Sequence, residues 1–165
     1  MTRYILPILL VSFLVTVSNC QKITQSNMKK EQVITLSFTK ENGTLKVKSG
    51  GKICLLADDA IDYETFVSPD ATLIAVETLL MSNLQIIRVY KKESDGCFRP
   101  LKNRLSSKLW HDLSVQEGFT IEDVSHPRMK FLKWISNEEV LVQLSGEVGV
   151  TVIDANVSCG LQPLF

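Results

Sequence analysis

Histidine is scarce in this sequence, so few residues could serve as the base that most hydrolytic sites need. Only two histidines, His111 and His126, occur among 165 residues. A serine or cysteine nucleophile needs a neighbouring base, which is most often a histidine. No Gly-x-Ser-x-Gly sequence is present, and Ser49-Gly50-Gly51-Lys52, which fits a Ser-x-x-Lys pattern, falls on a predicted turn and not on a helix. We therefore predict that the protein is not an enzyme.

Ligand sets for metals and cofactors are missing as well. The two histidines and the scattered carboxylates do not show the paired spacing of a zinc site. The sequence Gly50-Gly51-Lys52 lacks the spacing of a phosphate-binding loop. We interpret the adjacent acids Asp58-Asp59 and Glu138-Glu139 as solvated turn residues. The sequence therefore predicts neither a metal nor a cofactor.

Neither sign of charge predominates in the composition. The lysines and arginines number 18, and so do the aspartates and glutamates. Nucleic-acid binding depends on a basic surface that neutralises phosphates, and no basic block occurs here, so we exclude nucleic acid as a partner. After Val17, no apolar run is long enough for a membrane-spanning helix.

The one long apolar run stands at the N-terminus. Arg3 precedes a mainly apolar run from Ile5 to Val17, and small or polar residues follow. This order predicts a signal peptide over residues 1–19 and export to the periplasm. The residues before Cys20 also resemble a bacterial lipobox. The alternative is therefore a lipoprotein that reaches the membrane only through an acylated Cys20.

The sequence contains four cysteines, an even number that suits an oxidising compartment. In an exported protein such cysteines favour disulfide formation. One disulfide bond is expected among Cys54, Cys97 and Cys159, whether or not Cys20 is acylated. The pairing stays open at this point.

The remainder of the chain predicts a polar tether over residues 20–30 and a single β domain over residues 31–165. Two β-prone runs flank Asn42-Gly43, which is a strong signal for a β-hairpin. The sequence Ser49-Gly50-Gly51 predicts the next turn. An all-β fold follows from this succession of short strands and turns.

An internal repeat supports the same fold class. The segment Phe66–Ile74 aligns without a gap on Trp134–Val142, and each consists of an aromatic residue, a turn and an apolar strand. Each is followed by a second strand, which we predict over Leu84–Tyr90 and Val148–Asp154. A turn, a cysteine and a Pro-Leu pair then end each segment. This agreement predicts two related antiparallel units.

The two units resemble single blades of β-propellers, in which an aromatic residue precedes a Ser-Pro-Asp turn. We place them at about residues 63–101 and 131–165. Propeller blades run to about 40–50 residues, so two of them cannot close a ring. The prediction is therefore an open, blade-like stack of antiparallel sheets with at most one short helix besides the signal peptide.

The segment between the units, residues 102–127, is the least regular part of the domain. Ser107 could cap a helical turn over Ser107–Leu113, but the apolar spacing there does not support a helix. Loops on a β scaffold often carry function, and tryptophan is enriched at binding hot spots. We predict a surface loop that binds a partner here, the alternative being that its tryptophan packs back on the core. The predicted partner-binding residues are Ser106, Ser107, Lys108, Trp110 and His111.

An exported, β-rich, blade-like domain of this size without catalytic residues resembles a class of periplasmic immunity proteins. These neutralise peptidoglycan amidases delivered by type VI secretion. In the inhibitor of the first amidase family, a loop with a Ser-Ser pair plugs the cleft of a Cys–His amidase, and the matching positions are Ser106 and Ser107. The resemblance implies a protein partner, a cell-wall amidase, that is blocked without any chemistry by this chain.

Two other functions remain open. A periplasmic or lipid-anchored module that binds a ligand or the cell envelope without catalysis would show a concave pocket. A small hydrolase would need His111 or His126 in a cleft, beside a serine or a cysteine.

Overall fold

The computed structural model describes residues 35–162, which belong to one compact unit. The predicted signal peptide, the tether and Cys20 lie outside the described residues. In this part of the chain the elements are β1 (Ser37–Glu41), β2 (Thr44–Ser49), β3 (Lys52–Ala57), β4 (Asp62–Val67), β5 (Leu73–Met81), β6 (Leu84–Lys92), β7 (Phe98–Pro100), α1 (Leu105–Glu117), a 3-10 turn (Ile121–Asp123), β8 (Val124–Ser136), β9 (Glu139–Val148) and β10 (Thr151–Gly160).

The strands form two sheets. The smaller sheet has the order β1-β2-β3, and the larger has the order β10-β9-β8-β6-β5-β4, with β7 paired to the end of β6. All neighbours run antiparallel except β6 and β8, which are parallel and pair at Gln85 and Arg128. Over the described residues the fold is all-β with one α-helix, as the sequence predicts, and the two sheets form an open stack.

Two tight turns of the smaller sheet follow directly from its glycines. Asn42 and Gly43 have φ values of 48° and 73°, and Gly50 and Gly51 have φ values of 57° and 86°. Two consecutive positive φ values make the two-residue hairpin turn that suits the twist of paired strands. Both predicted turns are confirmed.

The larger sheet is buried on both faces around β5, where side chains that alternate between the two sides of the strand are covered on each side. On β5, Leu73 and Ala75 face a core completed by α1 and by β8–β10, which we call the helix-side core. Ile74 and Val76 face a second core completed by β2 and β3, which we call the hairpin-side core. The strand β5 thus joins both cores.

The two predicted units fall on two antiparallel meanders, β4-β5-β6 and β8-β9-β10. Their first turns differ in length. Residues 68–72 link β4 to β5, and the Asp70 carboxylate accepts hydrogen bonds from Ser68 and Thr72 there. Only Asn137 and Glu138 link β8 to β9. The relatedness of the units stays a prediction.

The predicted strand Val148–Asp154 is wrong in its placement. Strand β9 ends at Val148, Gly149 adopts a φ of 59°, and β10 begins at Thr151. Val150 occupies this turn with its side chain fully exposed. The run of valines suggests one continuous strand, but the chain reverses in its middle.

One disulfide bond joins Cys54 on β3 to Cys97, just before β7, with 5.7 Å between their Cα atoms. It ties the smaller sheet to the larger one. The thiol of Cys159 is buried in β10 and forms no disulfide with a described residue. Burial raises the pKa of this thiol. The sequence places Cys159 after a turn, whereas the structure has it inside the strand.

Candidate functional site

The predicted surface loop is a helix. Residues 106–111 lie on α1, which begins at Leu105 and ends at Glu117. Leu105, Leu109 and Leu113 recur at every fourth position, so they form one face that packs on the helix-side core. Gly118 follows with a φ of 76°, and its N–H donates to the Ser114 carbonyl. This left-handed glycine ends the helix.

The helix separates the five predicted partner-binding residues. Trp110 is 6% exposed and belongs to the helix-side core, so it packs on the core and cannot anchor a partner in this conformation. Ser107 and His111 are exposed one turn apart. Lys108 pairs with Asp112 on the same helix. Ser106 is half-buried and points to a different place, the rim of a cleft.

This cleft has a volume of about 610 Å³ and lies beside β6. Strand β8 pairs with β6 at Gln85, and β7 pairs with it from Tyr90 onward. No ladder pair joins residues 86–89 to either strand, so the described sheet has a gap on this side of β6. The cleft occupies that gap.

Three segments, together with Leu80 near the end of β5, form the wall of the cleft. The end of β3 and the loop after it form one side, and β6 forms the second. The link from β7 to α1 and the first turn of α1 form the third. Its apolar lining includes Leu56, Leu80, Leu84, Ile86 and Leu101, and its polar lining includes Asp58, Asp59, Arg88, Lys102, Asn103, Arg104 and Ser106.

An ion pair crosses the cleft from β6 to the loop after β3. The Arg88 guanidinium donates to both Asp59 carboxylate oxygens, at 2.6 and 2.7 Å. This bidentate bond holds the pKa of Asp59 below its usual range and raises the pKa of Arg88. Burial raises the pKa of the neighbouring Tyr90 hydroxyl, an effect that the charge of Arg88 partly offsets. The pair fixes the loop against β6.

The rim carries two further cations, Lys102 and Arg104, whose side chains form no ion pair with a described residue. Arg104 is also the residue that precedes α1, and no side chain caps the helix there. The first turn of α1 contains no acid. The open N–H groups and the positive end of a helix both favour an anion. The exposed Asp58 adds one opposing charge to the lining. The two cations and this one acid leave a net positive rim, which suits a negative group near Lys102 and Arg104.

The two histidines lie away from any nucleophile. His111 is exposed on α1, and His126 is exposed in β8, where neither imidazole forms a hydrogen bond to a described residue. His126 has a φ of 52° at a bulge in the pairing of β8 with β9. Over residues 35–162, no three side chains of metal-ligating type come together.

Sequence reasoning missed most of this cleft. Asp59 does lie in an exposed bend, but its place in the sequence does not indicate that Arg88 binds its carboxylate. The available signal is Arg88 itself, a lone charge within the apolar run from Ile86 to Tyr90. A charge in such a run needs a partner when the strand is buried.

Comparison of the chain with protein-family models, with curated proteins and with solved structures finds no match. Within the part of the chain that the structure describes, no helix has the length and apolar character needed to cross a bilayer.

Proposed function

We propose that the protein is an exported, non-catalytic binding module whose ligand occupies the cleft beside β6. The observation that carries this proposal is the cleft itself, which lies within the usual size range of ligand pockets of about 300–1,000 Å³. Its leucines and isoleucine would hold an apolar body. Lys102, Arg104 and the uncapped start of α1 would hold an anionic group. The ligand class is therefore an anionic amphiphile.

Calorimetric titration of the purified protein with dodecanoate tests this proposal, with dodecanol as the neutral probe of equal chain length. We expect binding of dodecanoate and weaker binding of dodecanol. Arg104→Glu should weaken dodecanoate binding about tenfold, because it reverses a rim charge. Lys46→Glu is the matched control, because Lys46 is an exposed cation on β2 outside the cleft.

Two results would contradict a cleft that selects anions. One is equal weakening by Arg104→Glu and Lys46→Glu, which would mean that net charge alone attracts the probe. The other is equal affinity for dodecanoate and dodecanol. If Ile86→Trp, which fills the cleft, leaves dodecanoate binding unchanged, the probe binds elsewhere.

Inhibition of a cell-wall amidase is the second candidate, and the surface that would carry it is now the exposed face of α1. Ser107 and His111 lie one turn apart on that face, and Ser106 lies at the adjacent rim of the cleft. A rigid helix would lose little conformational entropy on binding. In this proposal the serine hydroxyls would contact the catalytic residues of the amidase, with no turnover by this protein.

Amidase activity on purified peptidoglycan, measured with and without the protein, tests this second candidate. Ser107→Trp should abolish inhibition, whereas Lys48→Trp, which places the same side chain on exposed β2, should not. Inhibition that survives Ser107→Trp would exclude α1 as the contact surface. Failure to capture or inhibit any amidase, with dodecanoate binding intact, would favour the cleft alone.

A further inference from the structure

Strand β10 forms one outer edge of the larger sheet and exposes its main chain there. It pairs with β9 over ten residues, and no described residue pairs with its other side. The Leu161 N–H donates to the Glu138 carbonyl, which continues the β10–β9 register. Peptide groups alternate in direction along a strand. Val152, Asp154, Asn156 and Ser158 therefore direct their N–H and C=O groups away from β9.

This edge lacks the features by which proteins protect outer strands. Such edges are usually short, bulged, or marked with lysine or proline. Strand β10 contains neither lysine nor proline, and its pairing with β9 runs without a register shift. Its one charge is Asp154, whose carboxylate accepts a hydrogen bond from Gln143. The edge is long, regular and ready to pair with another strand.

The side chains of β10 are complementary to a second copy of the same strand. Place the two copies antiparallel, with Ala155 on the two-fold axis. Asp154 then lies opposite the partner's Asn156, whose amide can donate to its carboxylate, and symmetry repeats this contact. The register that sets Asp154 opposite the partner's Asp154 is disfavoured by like-charge repulsion. The sequence therefore selects one antiparallel register over its neighbour.

The inner face of β10 supports the same register. Ile153, Ala155 and Val157 pack against the helix-side core but remain half-exposed. In the symmetric pair, Ile153 lies opposite the partner's Val157, and the two Ala155 residues meet. The apolar row then continues from one molecule into the next and loses water-exposed area.

We propose that the protein forms a two-fold symmetric dimer through antiparallel pairing of β10 with β10 of a second copy. Each residue from Val152 to Ser158 that faces outward exchanges both backbone hydrogen bonds with its partner. The two larger sheets become one continuous sheet. This dimer is independent of the ligand proposed for the cleft, which lies beside β6.

Sedimentation velocity on the purified protein over the micromolar range tests the dimer. We expect a species of twice the chain mass. Asn156→Asp should raise the dimer dissociation constant at least about tenfold, because it sets carboxylates opposite each other at two symmetric positions. The double variant Asp154→Asn with Asn156→Asp restores the complementary pair, so it should regain the wild-type dissociation constant.

The variants also separate this interface from others. Asn156→Pro removes an N–H that points away from β9, so it should leave the far-UV circular dichroism unchanged and abolish the dimer. A monomeric wild type would overturn the proposal. A dimer that survives both Asn156→Asp and Asn156→Pro would overturn it too, since another surface must then hold it. If Asn156→Pro fails to fold, the comparison of Asn156→Asp with the double variant decides.

Discussion

The two outer strands of the larger sheet, β4 and β10, differ in what lies beside them. Strand β4 has six residues and carries Asp62 and Glu64. The hairpin of β1 and β2 reaches its start, where Lys40 pairs with Asp62 and the Tyr63 hydroxyl donates to the Gly43 carbonyl. Strand β10 has ten residues and no such neighbour among the described ones. One edge is protected by charge and contact, and the other is open.

This difference shows that the smaller sheet stabilises one side of the larger sheet. It buries the second face of β5 and β6 and, with its first turn, holds the start of β4. Glycine at position 43 matters for this contact, because a Cβ atom there would come within 3.2 Å of the Ala60 carbonyl oxygen.

Removal of the Cys54–Cys97 disulfide should have the largest effect on stability. The bond closes a loop with a sequence separation of 43, and loop-closure entropy for such a length is worth about 4 kcal/mol. The double variant Cys54→Ala with Cys97→Ala should lose about 3–4 kcal/mol in the free energy of unfolding, measured with urea. Cys159→Ala on β10 is the control and should cost less. Equal losses would mean that the smaller sheet holds itself in place by packing alone.

Tyr63→Phe should have an intermediate effect. The Tyr63 hydroxyl donates to the Gly43 carbonyl and accepts from the Asp59 and Ala60 N–H groups. Its loss leaves these buried or half-buried groups without a partner, which should cost about 2 kcal/mol in urea unfolding. Lys40→Ala removes only an exposed ion pair and should cost less than about 1 kcal/mol. A loss for Tyr63→Phe no greater than that for Lys40→Ala would show that the hairpin contact is dispensable.

Glu77→Gln should have the smallest effect, and that effect should depend on pH. The Glu77 carboxylate on β5 accepts from the Phe131 N–H on β8 at 2.8 Å and from the Gln85 side chain. Burial raises the pKa of Glu77 above 4.5. The folded protein therefore binds this proton more tightly than the unfolded chain does, and its contribution to stability falls as pH rises past 4.5.

Glutamine at position 77 keeps an acceptor for Phe131 and removes the titration. The free energy of unfolding of Glu77→Gln, taken relative to that of wild type, should therefore be higher at pH 7 than at pH 4. Urea titrations of both proteins at both pH values measure this difference. Gln85 can turn its amide to accept from the new side chain. A stability difference that does not change with pH would mean that Glu77 ionises in the folded state as it does in the unfolded chain.

The hairpins could be predicted because their signals are local. Asn42-Gly43 and Gly50-Gly51 carry the positive φ values that their turns need, so four or five residues suffice to place each one. The sequence does not predict the Gly149-Val150 turn, because valine favours strands. There the pairing of β9 with β10 overrides the local preference.

The helix and the cleft could not be predicted because their signals are weak or distant. Helix α1 begins after Arg104 without a capping side chain or an acid in its first turn, which removes the usual start signals. Its stop signal, Gly118, was available. The cleft depends on Arg88 and Asp59, which are 29 residues apart and meet only when the smaller sheet docks. No local pattern encodes that meeting.

The placement of the two tryptophans gives the molecule a built-in optical reporter for one of its halves. Trp110 belongs to the helix-side core and Trp134 packs against it, whereas the aromatic hydroxyls of Tyr63 and Tyr90 mark the hairpin-side core. Indole emission therefore reports on the unfolding of the helix-side core, and the near-ultraviolet tyrosine signal reports on the unfolding of the hairpin-side core. Superimposable melting curves from the two chromophores would mean that β5 couples the cores into one cooperative transition, and separate curves would mean that the chain melts in stages.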